Sequence, residues 1–179
     1  MKLILVRHGQ SEWNLQKRFT GWVNVSLTER GTDEAKKSGK LINDLKLDLN
    51  SFFSSLQTRA IDTLEIILKV LNKNNYKIIK AWELNERHYG SFTGLKKEEM
   101  IKIHGEDKIK SFRRSWNMKP SPMIDSDINN PKNDERYSCV PKEKFPMTES
   151  LKDTYERVIP YYEKNIIPIL KKKNVVIVA

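Results

Sequence analysis

Cysteine is almost missing from this chain. Cys139 stands alone among 179 residues, which excludes an internal disulfide framework and a thiolate metal cluster. No run of 18 apolar residues occurs, so no segment reads as a transmembrane helix. The apolar opening Leu3 to Val6 meets Arg7 too early for a signal-peptide core. A cytoplasmic address is the default expectation from these absences. Acidic residues are also in deficit: 33 Lys and Arg against 23 Asp and Glu give a formal charge of +10. That excess suits nucleic acid, an anionic membrane or phosphorylated metabolites, and composition alone does not choose among them. Nucleic acid is disfavoured because no known module is present and the aromatics do not interleave with the basic residues as stacking platforms. No pair of histidines has metal-ligand spacing. What remains is ordinary globular composition, 38% hydrophobic and 31% charged, at a length that fits one domain, residues 1–179.

Apolar runs alternate with helical patterns along the chain. Leu3 to Val6 has the look of a parallel strand buried on both faces, ending in Arg7-His8-Gly9. Thr28 is a candidate N-cap for a helix from Glu29 to Leu45. Ser51 to Ser55 reads as a second strand, Arg59 to Leu71 as a helix, and Lys77 to Trp82 as a third strand. Two charged helices follow, around Lys96 to His104 and Lys108 to Trp116. Residues 117–148 hold five of the seven prolines and no sustained period; a stretch of that kind is expected to be a lid or binding loop if it is ordered. Helical spacing resumes from Glu149 to about Lys171, where Pro160 should kink or divide the helix. Asn174 to Ala179 has the pattern of a central strand. The order of elements predicts a three-layer α/β/α fold with a mostly parallel sheet.

In such sheets ligands gather at the carboxyl edges of the strands. Arg7-His8-Gly9 lies at one such edge. A neutral imidazole is a competent nucleophile toward phosphorus, the arginine offers a planar fork of donors, and the glycine lets backbone approach a substrate closely. Ser11, Asn14, Thr20 and Gly21 follow, each able to donate to an oxyanion; Trp13 and Trp22 between and beside them read as packing. Arg59 stands just beyond the second strand, so two arginines and a histidine should converge, an arrangement suited to a transferring phosphoryl group. Glu86, in Leu84-Asn-Glu-Arg-His-Tyr-Gly90, could move a proton near neutral pH, since phosphate charges raise a neighbouring carboxyl's proton affinity. Lys97, Arg113 and Arg114 belong to a basic stretch that either holds phosphates or is a solvated helix face.

Leu3-Ile-Leu-Val-Arg-His-Gly-Gln-Ser-Glu-Trp-Asn14, Phe19-Thr-Gly-Trp22, Ser26-Leu-Thr-Glu-Arg-Gly31, Leu84-Asn-Glu-Arg-His-Tyr-Gly90 and Phe112-Arg-Arg-Ser115 together resemble the bisphosphoglycerate-dependent phosphoglycerate mutases of the histidine phosphatase superfamily. The resemblance runs in order through nearly the whole chain. It implies that His8 is phosphorylated after priming by 2,3-bisphosphoglycerate, with 3-phosphoglycerate and 2-phosphoglycerate interconverted through the bisphosphate and no metal involved. It further implies that Glu86 exchanges the proton of the substrate hydroxyl and that Arg7 and Arg59 grip the phosphoryl group. Ser11, Asn14, Thr20, Gly21, Arg87, Tyr89, Lys97, Arg113 and Arg114 would line the phosphate and carboxylate site, and residues 117–148 would form an active-site loop. Partners would be small phosphorylated three-carbon acids, with no nucleic acid and no membrane; a homo-oligomer stays open.

One departure bears on activity. In these mutases a second histidine follows the strand that here runs to Ala179, so the chain is expected to be truncated and to have little or no mutase activity by itself. Two other readings remain. A histidine-type phosphatase would discharge the same phosphohistidine to water, and a non-catalytic remnant would bind phosphometabolites without reacting.

Overall fold

The computed structural model describes residues 1–179, which form two compact units. The first comprises Met1–Glu12, Asn24–Asn85 and Ile159–Ala179; the second comprises Trp13–Val23 and Glu86–Val158.

The first unit is built on four strands, β1 (Leu3–Val6), β2 (Leu49–Ser54), β3 (Ile78–Lys80) and β4 (Asn174–Val178), all parallel in the order β1-β4-β2-β3. Parallel neighbours need crossovers, and the two longest helices of this unit serve. They are α2 (Glu29–Asp44) and α3 (Thr58–Val70), numbered after a short α1 (Glu12–Leu15). Side chains alternate across the sheet with period two. Val176 and Val178 of β4 join Phe52, Ile42, Ala60, Leu64 and Ile67 on the face covered by α2 and α3. Val175 and Ile177 join Phe53, Leu84, Ile166, Ile169 and Leu170 on the other. These are three layers, α/β/α, about a wholly parallel sheet. Gly39 lets α2 and α3 approach, since a Cβ there would crowd Val70 at 2.9 Å.

One local reading changes and another is refined. β1 is a sheet edge rather than a strand buried on both faces, and Leu5 is 71% exposed. Its apolar run says only that it pairs in a sheet; the strand order decides which neighbours it receives. Pro160 lies inside α6 (Leu151–Tyr161), which ends one residue later, and the helix is divided there by a π-helical stretch, Tyr162–Ile166, ahead of α7 (Ile167–Leu170). Pro168, in α7, has no N–H for the carbonyl four residues back. A π turn just before it resets the ladder at that defect.

The second unit has little regular structure apart from α4 (Lys97–His104), α5 (Glu106–Arg114) and the start of α6. Gly105, at φ +83°, turns the chain between α4 and α5. Its core is aromatic: Phe19, Phe92, Met100 and Ile109 are buried, with Tyr89 and Phe112 against them. Residues 117–148 carry three 3-10 turns and no strand, yet Met123, Asn130, Tyr137 and Val140 are buried. The ends of this stretch are tied by Ser91 N–H to Ser121 O at 2.8 Å and Met123 N–H to Met147 O at 2.9 Å. No helix of the chain is long and apolar enough to cross a membrane.

Candidate phosphoryl-transfer residues

The residues singled out from sequence fall into two sets, one in each unit. Arg7, His8, Ser11 and Arg59 belong to the first. His8 follows β1 and is 8% exposed; Arg59 lies in the first turn of α3 and is fully buried. Arg59 Nε–H donates to His8 Nε2 at 3.2 Å, and His8 Nδ1 lies 2.7 Å from Gly9 O. A carbonyl can only accept, so the proton sits on Nδ1, and the Nε2 lone pair points at the guanidinium. Burial, then the Arg59 charge, and less strongly the Arg7 charge, bring the imidazole down to about 4, against an opposing hydrogen bond to Gly9 O. At neutral pH His8 is therefore an uncharged imidazole of fixed tautomer whose Nε2 lone pair could act as a nucleophile, beside two cations that could receive the oxygens of a phosphoryl group.

The loop that carries His8 is held from two sides. Gly9 N–H donates to Thr63 Oγ1 at 3.1 Å, and that hydroxyl donates to Arg59 O at 2.7 Å, so one threonine links the His8 loop to the helix that carries Arg59. Gln10 N–H donates to Glu34 Oε2 at 2.9 Å, and this bond, with one from Arg30, holds the Glu34 carboxyl below its ordinary range. Thr28 caps α2, accepting from Gly31 N–H at 3.0 Å, and its backbone N–H donates to Gln10 O at 2.9 Å. Gly9 and Gly31 touch so closely that a Cβ at Gly9 would run into the Gly31 carbonyl and one at Gly31 into Gln10 O. The close approach that Gly9 permits is thus to α2 of its own chain. Ser11 is buried and bridges Leu27 in the same loop pair.

The second set comprises Asn14, Thr20, Gly21, Glu86, Arg87, Tyr89, Lys97, Arg113 and Arg114. Arg87 Nη2 donates to Arg113 O at 2.9 Å, and its guanidinium lies 5.0 Å from the Tyr89 ring centre. Burial raises the Tyr89 hydroxyl above its ordinary value; the Glu86 charge adds to this, while Arg87 and Arg113 oppose it. Gly21 sits at φ +56° against Tyr89 N and Arg87 O, which a Cβ at this position would approach to 3.3 and 3.5 Å. Glu86, Arg87, Tyr89, Arg113 and Gly21 are thereby brought together. Lys97 Nζ stands 5.8 Å from the Phe19 ring, which packs on Tyr89 at 5.1 Å. Thr20 is buried one residue before Gly21, Asn14 lies in α1, and Arg114 is exposed at the end of α5. Trp22 is packing, as its pattern suggests: it is wholly buried against Tyr137 and Phe145.

Sequence reasoning missed Thr63, Glu34 and Gly31 around His8, and Glu149 and Arg157 beside Glu86. Gly31 sits inside the Ser26–Gly31 motif, and its spacing from the Thr28 cap was a usable signal. The others carried none, because ordinary helix-face residues and a Glu at the end of a Pro-rich stretch look alike in any sequence. No cluster of three or more His, Cys, Asp or Glu side chains that could hold a metal ion is present.

A parallel α/β/α sheet with a neutral, arginine-bound histidine after its first strand is a fold capable of phosphoryl transfer. Residues 3–129 match the histidine phosphatase superfamily (branch 1), and the chain belongs to that superfamily, closely related to its 2,3-bisphosphoglycerate-dependent phosphoglycerate mutases. The mutase of that name from Pelagibacter ubique (strain HTCC1062) is 54% identical over 178 residues, covering 99% of this chain and 74% of the relative. Among solved structures, phosphoglycerate mutase from Bacillus anthracis superposes with a TM-score of 0.71 at 23% identity, over 99% of this chain and 73% of that one. Mycobacterial glucosyl-3-phosphoglycerate phosphatase gives 0.72 at 20% identity, over 99% and 72%. At these identities the structural matches speak for the fold alone.

Proposed function

We propose that the chain transfers phosphoryl groups of small phosphorylated acids through a phosphohistidine at His8. The observation that carries this reading is the Nε2 lone pair of a neutral His8, held by the Gly9 carbonyl on one side and met by Arg59 on the other. Nε2 attacks phosphorus, the ester oxygen leaves, and Arg59 and Arg7 follow the oxygens as charge spreads over them. In this reading the second set holds the rest of the substrate: Arg87, Arg113, Arg114 and Lys97 its negative charges, and Ser11, Asn14, Thr20, Gly21 and Tyr89 its remaining oxygens. Glu86 gives the proton to the leaving oxygen and later takes one from the acceptor.

The acceptor decides between two finer activities. The 54% identity to the P. ubique mutase supports transfer to a hydroxyl of phosphoglycerate. 2,3-Bisphosphoglycerate would there supply the priming phosphoryl group, and a neutral nucleophile among guanidinium groups fits it. Discharge to water asks less of the protein, because it needs no retention and reorientation of a bisphosphate in a water-poor pocket. About a quarter of the P. ubique relative has no counterpart in this chain, and we favour the hydrolytic outcome for these 179 residues by themselves. Residues 117–148 serve as the substrate-covering loop in either case. Incubation with labelled 2,3-bisphosphoglycerate followed by alkaline quench should trap acid-labile phosphate on His8, and product analysis with 3-phosphoglycerate should show more inorganic phosphate than 2-phosphoglycerate. Label-free protein that still binds 3-phosphoglycerate would instead favour a non-catalytic binder.

A further inference from the structure

Glu149 and Arg157 form a buried ion pair that the reading above leaves unused. Arg157 Nε donates to Glu149 Oε1 at 2.6 Å and Nη2 to Oε2 at 3.0 Å, with the two side chains 8% and 3% exposed. The pair is fastened to the backbone of the segment that carries Glu86 and Arg87. Arg157 Nη2 also donates to Glu86 O at 3.2 Å. Glu149 Oε2 accepts from His88 N–H at 2.8 Å, and Glu149 N–H donates to His88 O at 2.9 Å. Arg157 in turn lies 5.6 Å from the ring of the wholly buried Trp22, the residue after Gly21. Every one of these groups lies in the second unit.

Taking two charges out of water costs more than an apolar contact of the same size, so a buried pair is weak evidence for stability alone. Its hydrogen bonds show what it does hold. Three of them end on main-chain atoms of residues 86 and 88, flanking Arg87 on both sides. This segment has no helix or strand to support it: it falls between two 3-10 turns, Trp82–Leu84 and Gly90–Phe92. Without regular hydrogen bonding, the direction of the Glu86 and Arg87 side chains depends on whatever fixes their peptide units. A bidentate guanidinium–carboxylate fork fixes them in two directions at once, which a point charge does not.

We infer that Glu149 and Arg157 are positioning residues that set the aim of the Glu86 carboxyl and the Arg87 guanidinium toward the non-transferring part of the substrate. This rests on the reading that Glu86 and Arg87 face substrate while His8 and Arg59 receive the phosphoryl group. The consequence is a split between two ligands. Inorganic phosphate needs only the His8 set, whereas 3-phosphoglycerate needs both sets.

Dissociation constants for inorganic phosphate and for 3-phosphoglycerate, measured by calorimetry on the full chain, test this with Arg157→Met, Arg157→Lys and Glu149→Gln. Arg157→Met should weaken 3-phosphoglycerate about tenfold or more and leave phosphate within twofold. Arg157→Lys, which keeps the charge and drops the fork, should fall between Arg157→Met and the parent. Glu149→Gln, which still accepts from His88, should lie near Arg157→Lys. If Arg157→Met does not fold, the comparison of Arg157→Lys and Glu149→Gln with the parent carries the test. Equal weakening of both ligands, or no change in either, overturns the positioning role. A parent chain that binds neither ligand overturns instead the reading on which it rests.

Discussion

His8 and His88 differ in one proton position. Each is buried, and each is brought down to about 4, first by burial and then by a nearby guanidinium, Arg59 for one and Arg157 for the other. Both are neutral at pH 7. At His8 the Nδ1 atom meets a carbonyl and donates. At His88 the Nδ1 atom accepts from Gly90 N–H at 2.9 Å, so the proton is on Nε2, where it meets no partner in a wholly buried position. One imidazole therefore offers a lone pair at Nε2 and the other a hydrogen. Burial and charge neutrality make a histidine available for nucleophilic work, but the backbone group facing Nδ1 decides whether the outer nitrogen can attack.

The largest effect should come from exchanging each ring for asparagine. His8→Asn should abolish acid-labile phosphate and lower turnover by on the order of 10⁴-fold or more, the scale on which nucleophile removal acts. His88→Asn should leave phosphorylation within a few-fold, because an Asn oxygen can accept from the N–H two residues on as Nδ1 does now. Mass spectrometry of the alkaline-quenched protein reads both outcomes. Phosphate trapped equally in both variants would erase the distinction drawn from the tautomers.

Arg59→Met comes next. It removes a donor aimed at the reacting centre, which costs roughly 10²- to 10³-fold in rate. It also removes a charge that lowers the His8 pKa, so the acid limb of His8 phosphorylation, expected near pH 4 in the parent, should move toward the ordinary 6.5. No equivalent change at Arg157 should shift that limb. A rate–pH profile of phosphoenzyme formation checks both parts, and an acid limb that stays put in Arg59→Met would detach the arginine from the histidine's electrostatics.

Stability should follow the same two rings. In the unfolded chain each titrates near 6.5 and in the folded chain near 4, so between these values the unfolded state holds more protons. Folding stability is thus fully present above pH 6.5 and lost as pH falls toward 4, by about 3 kcal/mol for each ring. Urea denaturation of the parent and of His88→Asn at pH 7 and pH 4.5 measures it; the variant should lose about half as much. Equal losses would mean that another group dominates acid unfolding.

Much of the His8 neighbourhood was readable from the sequence because strand-end geometry is local. An apolar run followed by Arg-His-Gly, and a second followed by Thr58-Arg59, place His8, Arg7 and Arg59 just beyond strand ends whatever the strand order. The helices around Glu29 and Arg59 follow from apolar spacing, the first also from its Thr28 cap, and their observed bounds differ by only a residue or two. What could not be read depends on distant partners. The one strand that pairs with β1 is β4, more than 160 residues later, and not β2, the next strand in the chain. The His8 tautomer depends on which way the Gly9 carbonyl turns, and Glu149 and Arg157 reach Glu86 across the whole Pro-rich stretch. Side-chain type is local information, but proton placement and backbone support come from tertiary structure.

The smallest effect separates the two loops that carry these histidines. The His8 loop leans on the N-terminus of α2 through Thr28, whose hydroxyl caps Gly31 N–H while its backbone holds Gln10 O. Thr28→Ala loses the side-chain cap and the hydroxyl's donation to Gln10, and keeps the backbone bond, at about 1 kcal/mol of stability. Thr28→Ser should restore most of it, because the capping oxygen returns and only a methyl is missing. The His88 segment hangs instead on the Glu149–Arg157 pair and owes nothing to that cap. Hydrogen exchange should accordingly speed up at Gly31 in Thr28→Ala and leave the His88 amide unchanged. Faster exchange at both amides would show that the two loops open together, and the contrast between a helix-braced His8 loop and an ion-pair-braced segment would lose its basis.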